Sequence, residues 1–292
     1  FTLILHCVVA CASIAFNGLL LFCTFYRTPP SFRSYSLLLK LQASVDMTMS
    51  LSACTTMQRI VPCDYTLVYI SYGPCTVMSS DVCYYLYTVL LASNVVSFAT
   101  VLVAMGARFW ILRFGAISKL RITTTLAIGA FIPALLFLVL FIMSRGDDRE
   151  LRKILTRYHP NYLVDGLVIT GNLDARTPSM LIVVGIIVLC PLPLFLIIWF
   201  YRICRFMILR LLRRKTKAMS IQTRVLHRQF VSALTAQAAL PIFPLLGVGC
   251  SVLGMLGVIR DPALEITSIL IAELPAFFSP IIVVMHIRYY SE

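Results

Sequence analysis

Charged residues are scarce in this sequence of 292 amino acids. Asp, Glu, Lys and Arg make up 13% of it, whereas 60% is apolar, and the mean hydropathy is +0.91. A soluble domain is about a quarter charged, because its surface faces water. The composition therefore excludes a soluble globular domain and indicates a polytopic membrane protein, whose apolar side chains face lipid.

Motifs for catalysis and for metal binding are also missing. The sequence contains no His-Glu-x-x-His, no Gly-x-Ser-x-Gly and no glycine-rich phosphate loop. Its four histidines are spread over both predicted sides of the membrane. We therefore expect no enzyme activity, no metal site and no cofactor. The net charge of +13 reports loop orientation in a membrane protein, and we expect no nucleic-acid partner.

Seven stretches reach the length of about 20 apolar residues that crosses a bilayer as a helix. Proline, glycine and charged residues mark their ends. The predicted spans are 1–25, 35–57, 77–105, 122–143, 179–201, 230–258 and 263–287. We interpret the chain as an all-α membrane protein, a seven-transmembrane helix bundle that forms a single domain over residues 1–292. Because it starts without Met and stops at a charged dipeptide, we expect both ends to be truncated.

Lys and Arg fall unevenly between the two sets of connecting segments. If the first helix starts outside, the inner segments hold 17 of the 25 basic residues, and the outer segments hold 8 together with nine acidic residues. Cytoplasmic loops collect Lys and Arg. We therefore predict that the N-terminus faces out and the C-terminus is cytoplasmic, with one long outer loop, residues 144–178, that caps the bundle.

Polar residues on three spans lie at one depth. Asn17, Asp46 and Ser279 each lie eight to ten residues from the predicted inner end of their helix, which is roughly 15 Å at 1.5 Å per residue. Ionisable residues in a span usually face the bundle interior. One interpretation is a hydrated site whose hydrogen bonds rearrange when the bundle changes state. The alternative is a static packing network in which a neutral Asp46 bonds to Asn17.

A second polar group lies nearer the outer side and predicts a ligand cavity. Its members come from helices 3, 6 and 7 and are Tyr84, Tyr87, Asn94, Gln237 and Glu273. Tyr84 and Tyr87 share a helix face, as do Tyr87 and Asn94. Pro241 and Pro244 bend helix 6 and create both a cavity and a hinge. The alternatives are an interfacial aromatic belt for the tyrosines and an interfacial position for Glu273.

Most of the ten cysteines fall within predicted spans, where cysteine behaves as a small apolar residue. Cys63 and Cys75 flank the first outer loop, and Cys83 follows in the next helix. An outer disulfide among these three is allowed by the oxidising compartment. Cys63 with Cys75 is the pair that we consider first.

The sequence resembles the nematode serpentine chemoreceptors of class d, the Srd family of seven-transmembrane G-protein-coupled receptors. The resemblance covers essentially the whole chain. It is carried by Arg27-Thr-Pro-Pro, Tyr35-Ser-Leu-Leu-Leu, Arg59-Ile-Val-Pro62, Tyr72-Gly-Pro-Cys75, Cys83-Tyr84 and Ala233-Leu-Thr-Ala-Gln237-Ala-Ala-Leu-Pro241. The order and spacing of these motifs make the match. Two positions depart from the pattern, Ala107 before Arg108 and Ser279 before Pro280.

The resemblance implies a chemosensory receptor in the plasma membrane of a sensory neuron, which binds an odorant or pheromone and activates a heterotrimeric G protein. The basic inner face offers Arg108, Arg213, Arg224 and Arg228 for G-protein docking. The same cations equally suit anionic membrane lipids. Two alternative functions stay open, namely a small-molecule channel or transporter, and a receptor-like accessory protein without its own ligand.

Overall fold

The computed structural model describes residues 2–26, 33–114, 118–162, 166–190, 192–193, 229, 232–258 and 262–286. Nine α-helices over these residues carry labels here. They are α1 (Thr2–Tyr26), α2 (Arg33–Thr56), α3 (Ser80–Phe114), α4 (Lys119–Leu126), α5 (Ile132–Met143), α6 (Asp148–Tyr158), α7 (Pro178–Leu189), α8 (Ile242–Met255) and α9 (Pro262–His286). A π-helical turn, Ala127–Phe131, joins α4 to α5 into one continuous span.

Among the described residues, five helical segments are long and apolar enough to cross a membrane. They correspond to the predicted first, third, fourth, sixth and seventh spans. The second span is present as α2, whose lower hydropathy reflects the polar residues that it buries between α1 and α3. The fifth span begins with α7, and its predicted continuation beyond residue 193 lies outside the described residues. The helix ends agree with the predicted ones to within three residues for spans one, two, four and seven.

A three-stranded antiparallel sheet covers one end of the bundle, which we call the sheet end. Strands β1 (Gln58–Cys63) and β2 (Thr66–Ser71) form a hairpin directly after α2, and β3 (Val168–Asn172) pairs with β2. Gly171 of β3 lies opposite Val68, and a side chain there would collide with the Leu67 carbonyl. The sequence analysis predicted no strands; β1 and β2 lie in the first outer loop, and β3 lies in the long loop predicted to cap the bundle.

The helices pack in a chain of neighbours. α2 packs against α1 and α3, α1 also packs against α9, α9 against α8, and α3 against α5, which packs against α7. An aromatic group, Tyr69, Tyr84, Tyr87, Phe137 and Phe141, lies where α3 and α5 meet the sheet. A purely aliphatic cluster that includes Leu20, Leu38 and Val283 fills the opposite half. The bundle thus has an aromatic sheet end and an aliphatic far end.

The sixth span is interrupted as the prolines predict. A helical segment over 232–237 ends in turns at 238–241, and α8 begins at Ile242. In these turns the Ala239 amide donates to the Ala236 carbonyl and the Leu240 amide to the Gln237 carbonyl. Such bonds, which span three residues, tighten the helix where Pro241 cannot donate.

The disulfide joins Cys75 to Cys83, so the predicted pairing of Cys63 with Cys75 is wrong. Cys75 belongs to a short 3-10 turn, Pro74–Val77, and Cys83 to the first turn of α3. Their Cα atoms are 5.2 Å apart, a normal distance for a disulfide. Cys63 instead ends β1 and is buried among Val61, Val68 and other side chains beneath α6. The hairpin register directs it into this apolar cluster.

Candidate functional site: a cavity beneath the sheet

A cavity of about 350 Å³ lies beneath the sheet, between α3, α7, α8 and α9. Ile60 and Tyr69 close it at the sheet end, and Pro241 and Pro244 lie along its α8 wall. Apart from tyrosine hydroxyls and the Cys190 thiol, the polar side chains among its described lining residues are Asn94, Arg176, Ser251 and Ser268. The remaining wall is aliphatic or aromatic, so the cavity suits an apolar molecule.

Asn94 is a polar side chain of the cavity with a free hydrogen-bond acceptor. Its side-chain oxygen is buried and has no partner among the described residues. Ser251 donates to the Gly247 carbonyl and Ser268 to the Glu265 carbonyl, so both hydroxyl protons are used within their own helices. Arg176 binds Asp174 at the rim. Asn94 is therefore placed to accept a hydrogen bond from a ligand.

A group of hydrogen-bonded side chains connects the sheet above the cavity to α3 and α5. Asn172 of β3 accepts a hydrogen bond from the Tyr69 hydroxyl at 2.7 Å and donates to Tyr84 at 3.0 Å and to Ser144 at 2.7 Å. The Tyr84 hydroxyl in turn donates to the Phe141 carbonyl at 2.7 Å. Burial raises the pKa of Tyr69 well above its usual range, so this hydroxyl stays protonated and keeps donating.

An ion pair fastens the other side of the sheet to α9. Arg59 of β1 binds Glu265 near the start of α9, with nitrogen to oxygen distances of 2.6 and 2.7 Å. Tyr162 donates to the same carboxylate, and its ring lies 4.4 Å from the Arg59 guanidinium carbon. Burial opposes the charge of Arg59, but Glu265 outweighs it and raises the pKa of the guanidinium. The Arg59 guanidinium therefore stays charged, and the pair links the sheet directly to a membrane helix.

The five residues predicted to line a ligand cavity divide into two groups. Tyr87 and Asn94 line the cavity. Tyr84 lies behind the wall in the Asn172 group, and Gln237 donates to Ser279 at 2.9 Å. Glu273 is buried between helices, with Oε1 3.3 Å from the His6 Nε2 atom. His6 Nε2 is also 3.2 Å from the Ala53 carbonyl, so Glu273 belongs to the α1, α2 and α9 junction and not to the cavity wall.

The three residues predicted to form a polar layer are all buried, and two of them meet. Asp46 accepts hydrogen bonds from Gln42 at 3.0 Å and Ser97 at 2.8 Å, and the Ser279 hydroxyl faces the same carboxylate. Through Ser279 this network reaches Gln237, so it joins helices from four spans.

Asn17 lies beside this network, on α1. Its amide nitrogen donates to the Ala276 carbonyl of α9 at 2.9 Å and to Ser13. Asn17 and Asp46 therefore each bind other partners: the Asn17 amide nitrogen is directed to α9, while Asp46 is held by α2 and α3. The predicted polar layer therefore consists of two adjoining parts, one around Asp46 and Ser279 and one around Asn17.

The predicted docking residues are largely outside what the structure describes. The backbone of Arg108 belongs to the last two turns of α3, far from the sheet end, but its side chain is not among the described ones. Arg213, Arg224 and Arg228 lie outside the described residues. The predicted basic docking face stays a prediction.

Several residues of the site were missed by sequence analysis, among them Asn172, Gln42 and Ser97. For Asn172 a signal existed, since Val168-Ile-Thr-Gly-Asn172 contains the β-branched run typical of a strand. Gln42 lies one helical turn before Asp46, the spacing at which side chains touch. Ser97 carries no comparable local signal, because its partner is 51 residues away.

Comparisons with known proteins agree on one family and one fold. The family described as serpentine type 7TM GPCR chemoreceptor Srd matches residues 2–292. Among curated relatives from Caenorhabditis elegans, serpentine receptor class delta-1 is 28% identical over 96% of this chain and 76% of its own length. Class delta-18 is 29% identical over 94% and 82%, respectively. The crystal structure of squid rhodopsin is similar in fold alone, with a TM-score of 0.50, 10% identity, and coverage of 96% of this chain and 75% of that one.

Proposed function

Because this chain belongs to the Srd family of serpentine seven-transmembrane chemoreceptors, we propose that it is a chemosensory receptor that binds a small molecule beneath the sheet and activates a heterotrimeric G protein. The observation that carries the proposal is the apolar cavity with one unsatisfied amide, that of Asn94. Its volume of about 350 Å³ lies at the small end of the range for ligand sites, roughly 300–1,000 Å³.

The lining favours a neutral, largely apolar ligand with one hydrogen-bond donor. A charged ligand would lose its hydration without a counter-ion in the wall, since Arg176 is already engaged by Asp174. A hydroxyl or amide N–H can reach the Asn94 oxygen instead. Small alcohols and amides of an odorant or pheromone type fit this description better than acids or amines do.

A functional screen tests this assignment. Cells that express the receptor are exposed to matched series of neutral, acidic and basic odorants, and calcium is recorded. We expect responses from the neutral series, and at least a tenfold loss of potency in Asn94→Leu, which keeps the size of the side chain and removes the hydrogen bond. Unchanged potency in Asn94→Leu at equal surface level would contradict the site.

The proposed orientation places the sheet end outside, where a ligand arrives. It rests on the excess of Lys and Arg in the opposite segments. A tag inserted after Asp147, at the start of α6, should bind antibody on intact cells. A tag after Lys215, which lies outside the described residues, should require permeabilised cells. The reverse pattern would contradict both the orientation and the receptor assignment.

For the cytoplasmic side we propose that Arg108, Arg213, Arg224 and Arg228 dock the G protein. Arg108→Ala should abolish ligand-evoked signalling while surface level and ligand binding persist. If the cations only bind lipid, Arg108→Ala should signal normally, and activity should fall gradually as Arg213 and its basic neighbours are neutralised. Ligand-gated currents in bilayers without G protein would instead favour a channel.

A further inference from the structure

Three cysteines of α1 and α2 meet near the sheet end of the bundle. Cys7 and Cys11 lie four residues apart on α1, so both thiols occupy one face of that helix, and Cys54 of α2 faces them. The three sulfur atoms all lie within 4.8 Å of one another. Each residue is a free thiol and not part of a disulfide.

The cluster is open to the outside of the bundle. Cys11 is exposed, and Cys7 and Cys54 are half-buried. Cys54 lies two residues before the end of α2 at Thr56, about 3 Å along the helix axis from that end. A small ion can therefore reach the thiols from the membrane surface at the sheet end, without passing through the ligand cavity.

We propose that Cys7, Cys11 and Cys54 form a binding site for a soft monovalent metal ion of the copper(I) class, which joins α1 to α2. With metal–sulfur distances of about 2.3 Å, three sulfur atoms around one ion in a plane lie about 4 Å apart. The separations here need only small rotations of the side chains to reach that geometry. This differs from the expectation of no metal site, because the three thiols come together only in the fold.

Donor type and donor number both favour copper(I) over zinc. Thiol sulfur is a soft ligand that selects copper(I) or zinc. Structural zinc is held by four protein ligands, whereas the metal-ligating atoms grouped here, in the part of the chain that the structure describes, are three sulfurs. Cysteine binds a metal as the thiolate, so each of the three thiols releases its proton to water when the ion binds, and the affinity should rise with pH.

A bound ion would strengthen a junction that already exists. Cys7 follows His6, and Cys54 follows Ala53, and the His6 ring contacts the Ala53 carbonyl at 3.2 Å. The same ring faces Glu273 of α9. The metal would therefore fix α1 to α2 beside the point where both meet α9.

The test uses the full chain in lipid nanodiscs and silver(I), a redox-inert ion with the same preference for thiols. We expect one tightly bound silver ion per chain, and X-ray absorption should give three sulfur neighbours. Cys54→Ser and Cys11→Ser should each weaken binding at least tenfold and should abolish the rise in melting temperature that silver produces. Cys23→Ser, at a half-buried cysteine at the far end of α1, is the matched control and should bind as the unaltered chain does.

Several results would overturn the proposal. Equal silver affinity in Cys54→Ser, Cys11→Ser and Cys23→Ser would place the ion elsewhere, and two sulfur neighbours instead of three would exclude the cluster as a unit. A disulfide between two of the three cysteines in protein that was never reduced would assign them another role. Cys11→Ser changes an exposed side chain, so it decides the matter even if Cys54→Ser does not fold.

Discussion

The two sides of this bundle are held together in different ways. On one side, α1, α2 and α9 are joined by buried polar contacts, such as Ser13 with Ser50 at 2.6 Å and Asn17 with the Ala276 carbonyl at 2.9 Å. On the other side, α5 and α7 contain no charged residue and pack through aliphatic and aromatic side chains. The cavity is bounded by α7 of this second side and also by α3, α8 and α9.

The difference separates the residues that hold the helices together from those that line the proposed ligand cavity. Buried polar groups are directional and fix one arrangement of the helices, because a lost partner is costly. Apolar packing is less directional, and it leaves a space beneath the sheet that a ligand can fill. Substitutions on the polar side should therefore change stability, and substitutions on the cavity side should change ligand response.

The largest effect on stability is expected at Asp46. Asp46→Ala leaves the Gln42 amide and Ser97 hydroxyl without their buried acceptor, which should cost about 2–4 kcal/mol. The measurement is the melting temperature of the detergent-solubilised receptor, followed by size-exclusion chromatography. Thr48→Ala, at an exposed position on the same helix, is the control and should melt normally. Equal melting of the two variants would refute the network as a source of stability.

The next largest effect concerns the ion pair that ties the sheet to α9. Arg59→Gln and Glu265→Gln should each lower stability by about 2 kcal/mol, since each leaves one partly buried charge without its partner. The double variant should lose less than the sum, with a coupling energy of about 1 kcal/mol or more. Arg176→Gln removes the exposed pair with Asp174 and should leave the melting temperature unchanged. Strict additivity would show that the pair is not coupled.

A smaller effect should distinguish the two tyrosines that share one face of α3. Tyr84→Phe removes hydrogen bonds to Phe141 and Asn172 and should cost about 1 kcal/mol, with ligand potency kept. Tyr87→Phe changes a side chain of the cavity wall and should alter potency with little change in melting temperature. Finding the same profile for both would contradict their assignment to separate groups.

The smallest effect on stability is expected from filling the cavity. Ala272→Phe adds a ring to the α9 wall of the cavity and should change stability by less than about 0.5 kcal/mol, because the volume that it fills offsets the cost of packing the ring beside Gly247 of α8. Ligand potency should fall at least tenfold. Ala127→Phe, at an exposed alanine of the fourth span, is the matched control and should respond normally.

The positions of the helices and the burial of polar residues within them could be predicted from the sequence. Length and hydropathy locate the spans, and an ionisable residue such as Asp46 inside a span faces the interior for a general reason. Contacts between segments that are distant in the sequence could not be predicted. Nothing in the sequence near Tyr84 indicates that its hydroxyl meets Asn172, 88 residues later. Tyr84 and Tyr87 do share one face of α3, as their spacing predicts, but the two side chains have different roles. The pairing of Cys75 with Cys83 likewise depends on the hairpin that carries Cys63 away.

The aliphatic wall of the cavity has a consequence for how such receptors can diversify. Exchanging one aliphatic residue for another, for example at Val248 or Ile269, changes the shape of the cavity. It leaves no buried hydrogen-bond donor or acceptor without a partner. If the proposed ligand site is correct, single-nucleotide changes among Val, Ile, Leu and Phe codons should change ligand selectivity at little cost in stability. The same property makes the chain a suitable scaffold for directed evolution of biosensors, with a library confined to the wall and selection applied to the response alone.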